Sequence, residues 1–225
     1  MVYLVAQKKH LLVVGVVIAV LIAGLKIFTS GYNGQELIKK AFEEIEKEAS
    51  YSYTSEVRLL EKEKVNYLSQ VEGIKTTNGA WAKGKILGTP VEILCIDDTT
   101  YFRDVQTGKW LTFKGINLRD AQALVNELNP LKVLAFNQIK NLRYRGTETV
   151  GGVRCIVFEG WPEYTHPVLK HLYHDYEGKF YLEKKNKKLK RVVLRAKSSF
   201  NRTIVLAVRV TFKETGRQVK LPVPH

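Results

Sequence analysis

The sequence predicts an α+β chain: an N-terminal transmembrane helix, then a curved antiparallel sheet of about ten strands covered by helices. Three observations carry this. Leu11–Leu25 (LLVVGVVIAVLIAGL) contains no charge, no proline and no strongly polar side chain. Alternating apolar and polar residues recur in short runs from Tyr51 onward, separated by turn-forming pairs. Two stretches, after Asn33 and after Asn117, carry apolar residues at helical spacing instead.

Extended through Lys26, Ile27 and Phe28, the apolar stretch reaches eighteen residues. As a helix that is about 27 Å, close to the ~30 Å of a hydrocarbon core, and Lys26 can reach the interface on its long stem. A cleaved secretory signal fits the same composition, because Lys8 and Lys9 precede the apolar core. The small residues required before a signal-peptidase cut are poorly supplied, by Thr29 with Gly31 or by Phe28 with Ser30. Leu-Ile-Ala-Gly24 resembles the start of a bacterial lipobox, but Leu25 stands where the lipid-bearing cysteine belongs, so lipidation at this site is excluded. An uncleaved anchor is the preferred reading. Basic residues before the span place residues 1–10 in the cytoplasm and everything after residue 28 outside, with secretion after signal cleavage as the alternative.

The whole chain carries 36 Lys and Arg against 22 Asp and Glu. Without Lys8, Lys9 and Lys26 the outer part still has 33 against 22, a charge of +11. Outside the membrane such an excess suits anionic headgroups, cell-wall polymers or acidic partners, and nucleic acid is not expected there. Cys95 and Cys155 each lie in an apolar, β-rich run (VEILCI and VRCIVF), so a disulfide between them and two buried free thiols are both open.

After a connector at 29–34, a single domain is expected over 35–215. Asn33-Gly-Gln-Glu36 reads as a capping box, and Leu37, Ile38, Ala41, Phe42, Ile45 and Ala49 then share a helical face. Strands follow from Tyr51 and Val65 through Lys114, punctuated by Glu61–Lys64, Asn78-Gly79, Gly88-Thr-Pro90, Asp97-Asp98 and Thr107-Gly108. Asn117–Lys140 reads as a helical hairpin or kinked helix, with Pro130 suited to a helix start. Leu142–Thr149 and Val153–Trp161 form a hairpin around Gly151-Gly152. Pro162–Tyr176 reads as a loop with a helical turn or two. Lys179–Lys185, Lys188–Ser198 and Thr203–Thr215 complete the sheet, and 216–225 is an extended tail.

Several of these joints resemble the outer-membrane lipoprotein carriers of the LolA type and the mycobacterial lipoproteins that shuttle cell-wall lipids. They are a helix ending in Ala49-Ser-Tyr-Ser-Tyr53 before a long strand, Asp98-Thr-Thr-Tyr-Phe102 followed by Gly108-Lys-Trp110, the Leu-rich insert, and the Gly151-Gly152 hairpin leading to Cys155-Ile-Val-Phe158. The resemblance covers about Gln35 to Thr215 and is one of pattern and order, without a catalytic motif. It implies a half-barrel around an apolar cavity that accepts acyl chains, and therefore a lipid or acylated, lipoprotein-like ligand.

The residues themselves allow that reading. Tyr51, Tyr53, Val57, Leu59, Trp81, Ile93, Phe158, Val193, Leu206 and Val208 are candidates for the inward faces, and a solid core would use the same residues. Leu124, Leu128 and Leu134 are the expected lid contacts from the insert Ala121–Ile139, and Arg195 could meet a headgroup. The dense basic run Lys184, Lys185, Lys187, Lys188, Lys190 and Arg191 fits an anionic surface or a charged hairpin tip. His166, His171, His174, Asp175 and Glu177 form a polar cluster better read as solvated than as metal-binding. Asn201-Arg-Thr203 matches a glycosylation sequon. No GxSxG, HExxH or phosphate-loop signature occurs, so no cofactor and no enzyme activity are expected. The expected function is a membrane-anchored extracytoplasmic lipid binder, the alternative a structural or sensory module of an envelope complex with a filled core. The cytoplasmic membrane and an envelope protein are its expected partners.

Overall fold

A computed structural model describes residues 33–114, 128–165, 169–215 and 220–222. The stretch Leu11–Leu25, the connector up to Tyr32, Leu124 and His166 lie outside the described residues. No helix among the described residues is long and apolar enough to cross a membrane.

The sheet is built from β1 (Ser50–Glu61), β2 (Lys64–Thr76), β3 (Gly79–Ile86), β4 (Thr89–Ile96), β5 (Thr99–Arg103), β6 (Trp110–Lys114), β7 (Phe136–Val150), β8 (Val153–Tyr164), β9 (Tyr173–Glu183), β10 (Leu189–Ser198) and β11 (Ile204–Thr215). All neighbours are antiparallel, in the order β6-β5-β4-β3-β2-β1-β11-β10-β9-β8-β7. The sheet is open, with β6 and β7 at its edges. Each half is a meander of hairpins, and the first and last described strands, β1 and β11, join the halves, Val57 opposite Val208 and Leu59 opposite Leu206.

Helix α1 (Gly34–Lys47) begins as the capping box predicts: the Asn33 side chain accepts from the Glu36 backbone N–H at 3.4 Å and donates to the Glu36 carboxylate at 3.1 Å. Its apolar stripe, Ile38, Ala41 and Ile45, is buried against the inner faces of β7 to β11. There Phe180, Leu182, Val192, Leu194, Val210 and Phe212 form the main core with Tyr51 and Tyr53. Covering one face of a sheet in this way is what its apolar alternation requires.

Residues 117–127 of the insert lie outside the described residues, and its end, Phe136–Lys140, differs from the expected helix. Only Pro130–Val133 (α2) turns as a helix among the described residues between Leu128 and Phe136, and Phe136–Lys140 belongs to β7. Leu131, Leu134 and Ile139 recur at helical intervals, yet all three serve the same buried core from different backbone conformations. Tertiary packing decides here: the Phe136 ring meets Phe42 edge-on at 5.3 Å and Phe180 at 5.5 Å, fixing the strand's entry. Likewise β8 runs on to Tyr164, and among the described residues of that segment Leu169–Leu172 (α3) is the one helical turn. Pro162 is tolerated because the register of β8 with β9 ends at Gly160 opposite Gly178, so the missing N–H interrupts no bond on that side.

Candidate functional site

Strand alternation divides the sheet into two chemically distinct faces. The inner face, on the side of α1, changes character along its width. From β7 to β11 it is filled by the main core. From β2 to β5 its residues are Ser69, Val71, Gly73 and Lys75, then Ala80, Ala82 and Gly84, then Ile93 and Cys95, then Thr100 and Phe102. Here a smaller cluster forms from Ala80, Ala82, Ile93 and Leu128, with Cys95 and Phe102 packed against it. The Phe102 ring is closed off by Phe113 of β6, edge-on at 5.5 Å.

Short side chains are concentrated on β3. Gly73 of β2 is required for a different reason: a Cβ there would fall 2.3 Å from the Tyr53 ring, which lies flat across it. Tyr53 therefore forms the boundary between the half lined by large side chains and the half lined by short ones.

Lys75 places a cation on this part of the inner face. Lys75, opposite Tyr51 and Ala80 in the register, donates from Nζ to the Thr76 carbonyl at 2.9 Å. Burial lowers its pKa, as does the charge of Lys132 on α2, while the Cys95 thiol works the other way. Burial raises the Cys95 thiol, partly offset by its 3.6 Å contact with the Thr100 hydroxyl. The Tyr51 hydroxyl donates to Asn129 at 3.5 Å, and burial, helped by the Glu46 charge, pushes its phenol well above the usual range. Lys75 was not singled out by sequence, although the alternation Ser69, Val71, Gly73, Lys75 assigns it to the inner face once Val71 is placed in the core.

The outer face is polar. An open groove of about 580 Å³ runs across its centre, lined by Thr54, Glu56, Gln70, Glu72, Lys83, Arg191 and Arg209, among others. Glu56 is paired there with Arg58 at 3.0 Å and Arg209 at 3.5 Å. A second outer carboxylate, Glu159, is held by Arg145 at 2.6 Å and Lys179 at 3.1 Å.

The residues singled out from sequence distribute as follows. Tyr53, Leu134 and Phe158 are buried in the main core, with Val57 and Leu59 partly buried against it. Ile93 and Leu128 meet in the smaller cluster beside the short side chains of β3. Trp81 lies on the other face, where its indole N–H donates to Glu92 at 3.2 Å; Ala80 and Ala82 take the inner positions that alternation had been expected to give it. Val193 also faces outward, against a small cluster of Val150, Cys155, Val157 and Tyr181. Arg195 is exposed on that outer face, opposite Glu177 and Ala207, and so is separated by the sheet from the apolar side. Leu124 lies outside the described residues.

Cys95 and Cys155 are both free, so the disulfide left open by the sequence is not formed. They sit on β4 and β8, with six strands between them in the sheet order, and Cys155 points to the outer cluster while Cys95 points inward.

The basic run occupies the β9–β10 turn and the start of β10, and much of it is engaged within the molecule. Lys187 donates to the Lys184 carbonyl at 2.6 Å, Lys188 pairs with Glu48 at 2.7 Å, and Lys190 reaches the Lys213 carbonyl at 3.4 Å. Arg191 donates to the Thr211 hydroxyl at 2.9 Å and stacks over Tyr181. Lys184 and Lys185 stand exposed at the tip. His174 lies 3.3 Å from Asp175, whose carboxylate also takes Lys197 at 3.2 Å.

No protein-family model matches the sequence, and no curated protein is significantly similar to it. Comparison of the fold is informative. LprF from Mycobacterium bovis superimposes with a TM-score of 0.57 at 17% identity, covering 84% of this chain and 96% of that one. The lipoprotein LppX from Mycobacterium tuberculosis gives 0.54 at 14% identity, covering 83% and 97%. The chain thus shares the fold of these two mycobacterial proteins over most of its length.

Proposed function

We propose that this protein is a non-enzymatic lipid binder of the cell envelope, held outside the cytoplasmic membrane by Leu11–Phe28, that takes an acyl chain or acylated ligand against the half of its inner face lined by short side chains. The observation that carries the proposal is the change in side-chain size across one continuous face: α1 and large side chains fill it from β7 to β11, whereas β3 offers Ala80, Ala82 and Gly84. Apolar area removed from water there contributes about 25 cal/mol per Å², with Ile93 and Phe102 as walls and Leu128 from the insert lying over them. Lys75 and Lys132 would supply positive charge beside an anionic headgroup. The weak candidate cleavage positions, Thr29 with Gly31 and Phe28 with Ser30, and Leu25 in place of a lipobox cysteine favour a tethered protein that holds or senses its ligand locally.

The test is uptake of a fluorescent fatty acid by the full chain in mild detergent, with native mass spectrometry for co-purified lipid. Binding should be lost in Ala82→Trp and retained in Lys83→Trp, one residue along on the outer face. An apo protein that takes up no acyl probe overturns the proposal. The second reading, a structural or sensory module that docks an envelope protein, is favoured by the completely buried Leu134, Phe180 and Phe212 of the filled half; it predicts no uptake by any variant.

A further inference from the structure

Among the described residues, the two ends of the sheet differ in a way the proposed ligand site does not use. At one end lie the turns β2–β3 (Thr77-Asn78), β4–β5 (Asp97-Asp98), β7–β8 (Gly151-Gly152) and β9–β10 (184–188). These are polar or charged, with no large apolar residue at any tip. At the other end, the β3–β4 turn carries Leu87 at 73% exposure, the β5–β6 turn Val105 at 62% and the β10–β11 turn Phe200 at 83%. Val65, just after the β1–β2 turn, is 46% exposed, and Leu172 at the end of α3 is 36% exposed. The strand registers place all five at the same end: Glu61 faces both Lys64 and Ile204, Ile86 faces Thr89, Arg103 faces Trp110, and Ser198 faces Tyr173.

These tips are held, not loose. Ser198 Oγ accepts the backbone N–H groups of Phe200 and Asn201 at 3.2 and 3.3 Å, and Asn201 Oδ1 accepts from Thr203 N at 3.0 Å. The Ser199 N–H donates to the Leu172 carbonyl at 2.9 Å, tying two of the apolar tips together. Asp104 accepts from the N–H groups of Gln106 and Thr107 and so braces the turn that presents Val105.

We infer that this rim docks on the lipid bilayer, Leu87, Val105 and Phe200 inserting among the headgroups so that the β9–β10 basic turn points away from the membrane. Isolated aliphatic and aromatic side chains projecting from several turns of one rim suit an interface in which each tip finds its own apolar surroundings. A protein partner of matched shape would instead call for one contiguous patch. The path of the chain agrees. The C-terminal part of α1, Ile45 and Glu48, lies by Lys188 and Leu189 at the polar end, while Gly34 at its start abuts Phe158 and Leu142, about 20 Å away along the helix. The apolar stretch that ends at Phe28 therefore joins the domain on the side away from the basic turn, through a connector, 29–34, spanning at most about 22 Å.

This inference rests on the reading of Leu11–Phe28 as an anchor for its tether, and one experiment separates the two. The full chain, with Cys95→Ser and Cys155→Ala, is reconstituted in phosphatidylcholine–phosphatidylglycerol vesicles containing doxyl-labelled lipid. It carries a single fluorophore at Leu87→Cys, Val105→Cys or Phe200→Cys, or at Asn78→Cys or Asn186→Cys. Quenching several-fold stronger at the first three than at the last two is expected. Equal quenching at both ends, or stronger quenching at Asn78 and Asn186, overturns the inference. Flotation after alkaline extraction reports the anchor separately: a chain that floats with unquenched tips keeps the anchor and loses the docking rim. A chain that is washed off in alkali, yet shows the tip-selective quenching beforehand, keeps the rim and loses the anchor.

Discussion

Glu159 is 7% exposed on the outer face of β8, and its carboxylate is shared between Arg145 and Lys179. The Arg145 hydrogen bond, against the opposing effect of burial, holds its pKa below the ordinary carboxylate range. A depressed carboxylate contributes stability that is present above its unfolded pKa, about 4.3, and lost as pH falls through the lower folded value. Glu159→Gln should therefore lower stability by about 1–3 kcal/mol at neutral pH, a range tempered by the half-exposed cations. The gap to wild type should narrow as pH drops below about 4; thermal melts from pH 7 to 3 check this. A steric prediction belongs to the same scale. Gly73→Val puts atoms into the Tyr53 ring, and the overpacking should cost about 1–3 kcal/mol, seen as a lower urea midpoint.

At the scale of elements, α1 is held by its buried stripe more than by its cap. Ile38 is 0% exposed within the main core, so Ile38→Ala should destabilise by about 2–5 kcal/mol. Asn33→Ala, which removes one accepting oxygen from an exposed helix start, should cost about 1 kcal/mol. Equilibrium urea unfolding of both variants tests the ranking, and a larger loss for the cap would contradict it. The helix, its cap and most hairpins were legible in the sequence because each is specified locally: by apolar period, by an oxygen placed at the helix start, or by Gly and Asn at turns. Phe136–Lys140 and Pro162–Tyr164 were not. Their strand conformation comes from pairing with each other, Phe136 opposite Tyr164 and Ile139 opposite Pro162, across a separation that no local pattern encodes.

For the whole molecule, the sheet order decides what the cysteines can do. With Cys95 and Cys155 on strands separated by six others, thiol titration in denaturant without reductant should return two free groups, and a mass shift for an intramolecular disulfide would contradict the register. The same order decides which candidate residues share a site. Ile93 and Leu128 meet although 35 residues apart, whereas Trp81, between two inner-facing alanines, is turned away from them.

The sequence by itself determined the class of this protein: an apolar segment of spanning length, a capped helix, alternating strands, and an order of joints that resembles one lipoprotein fold. Those features are written in neighbouring residues, through periodicity, turn chemistry and charge. Which face each strand turns inward, that β1 and β11 close the two halves into one sheet, that the inner face carries large side chains on one side and short ones on the other, and that the apolar turn residues of the described strands gather at a single end were decided only by tertiary structure. The physical reason is that a strand's period of two leaves both of its faces open until a partner is chosen, and here the choice between Ala82 and Trp81 as the inner residue was made by the register of β3 with β2 and β4.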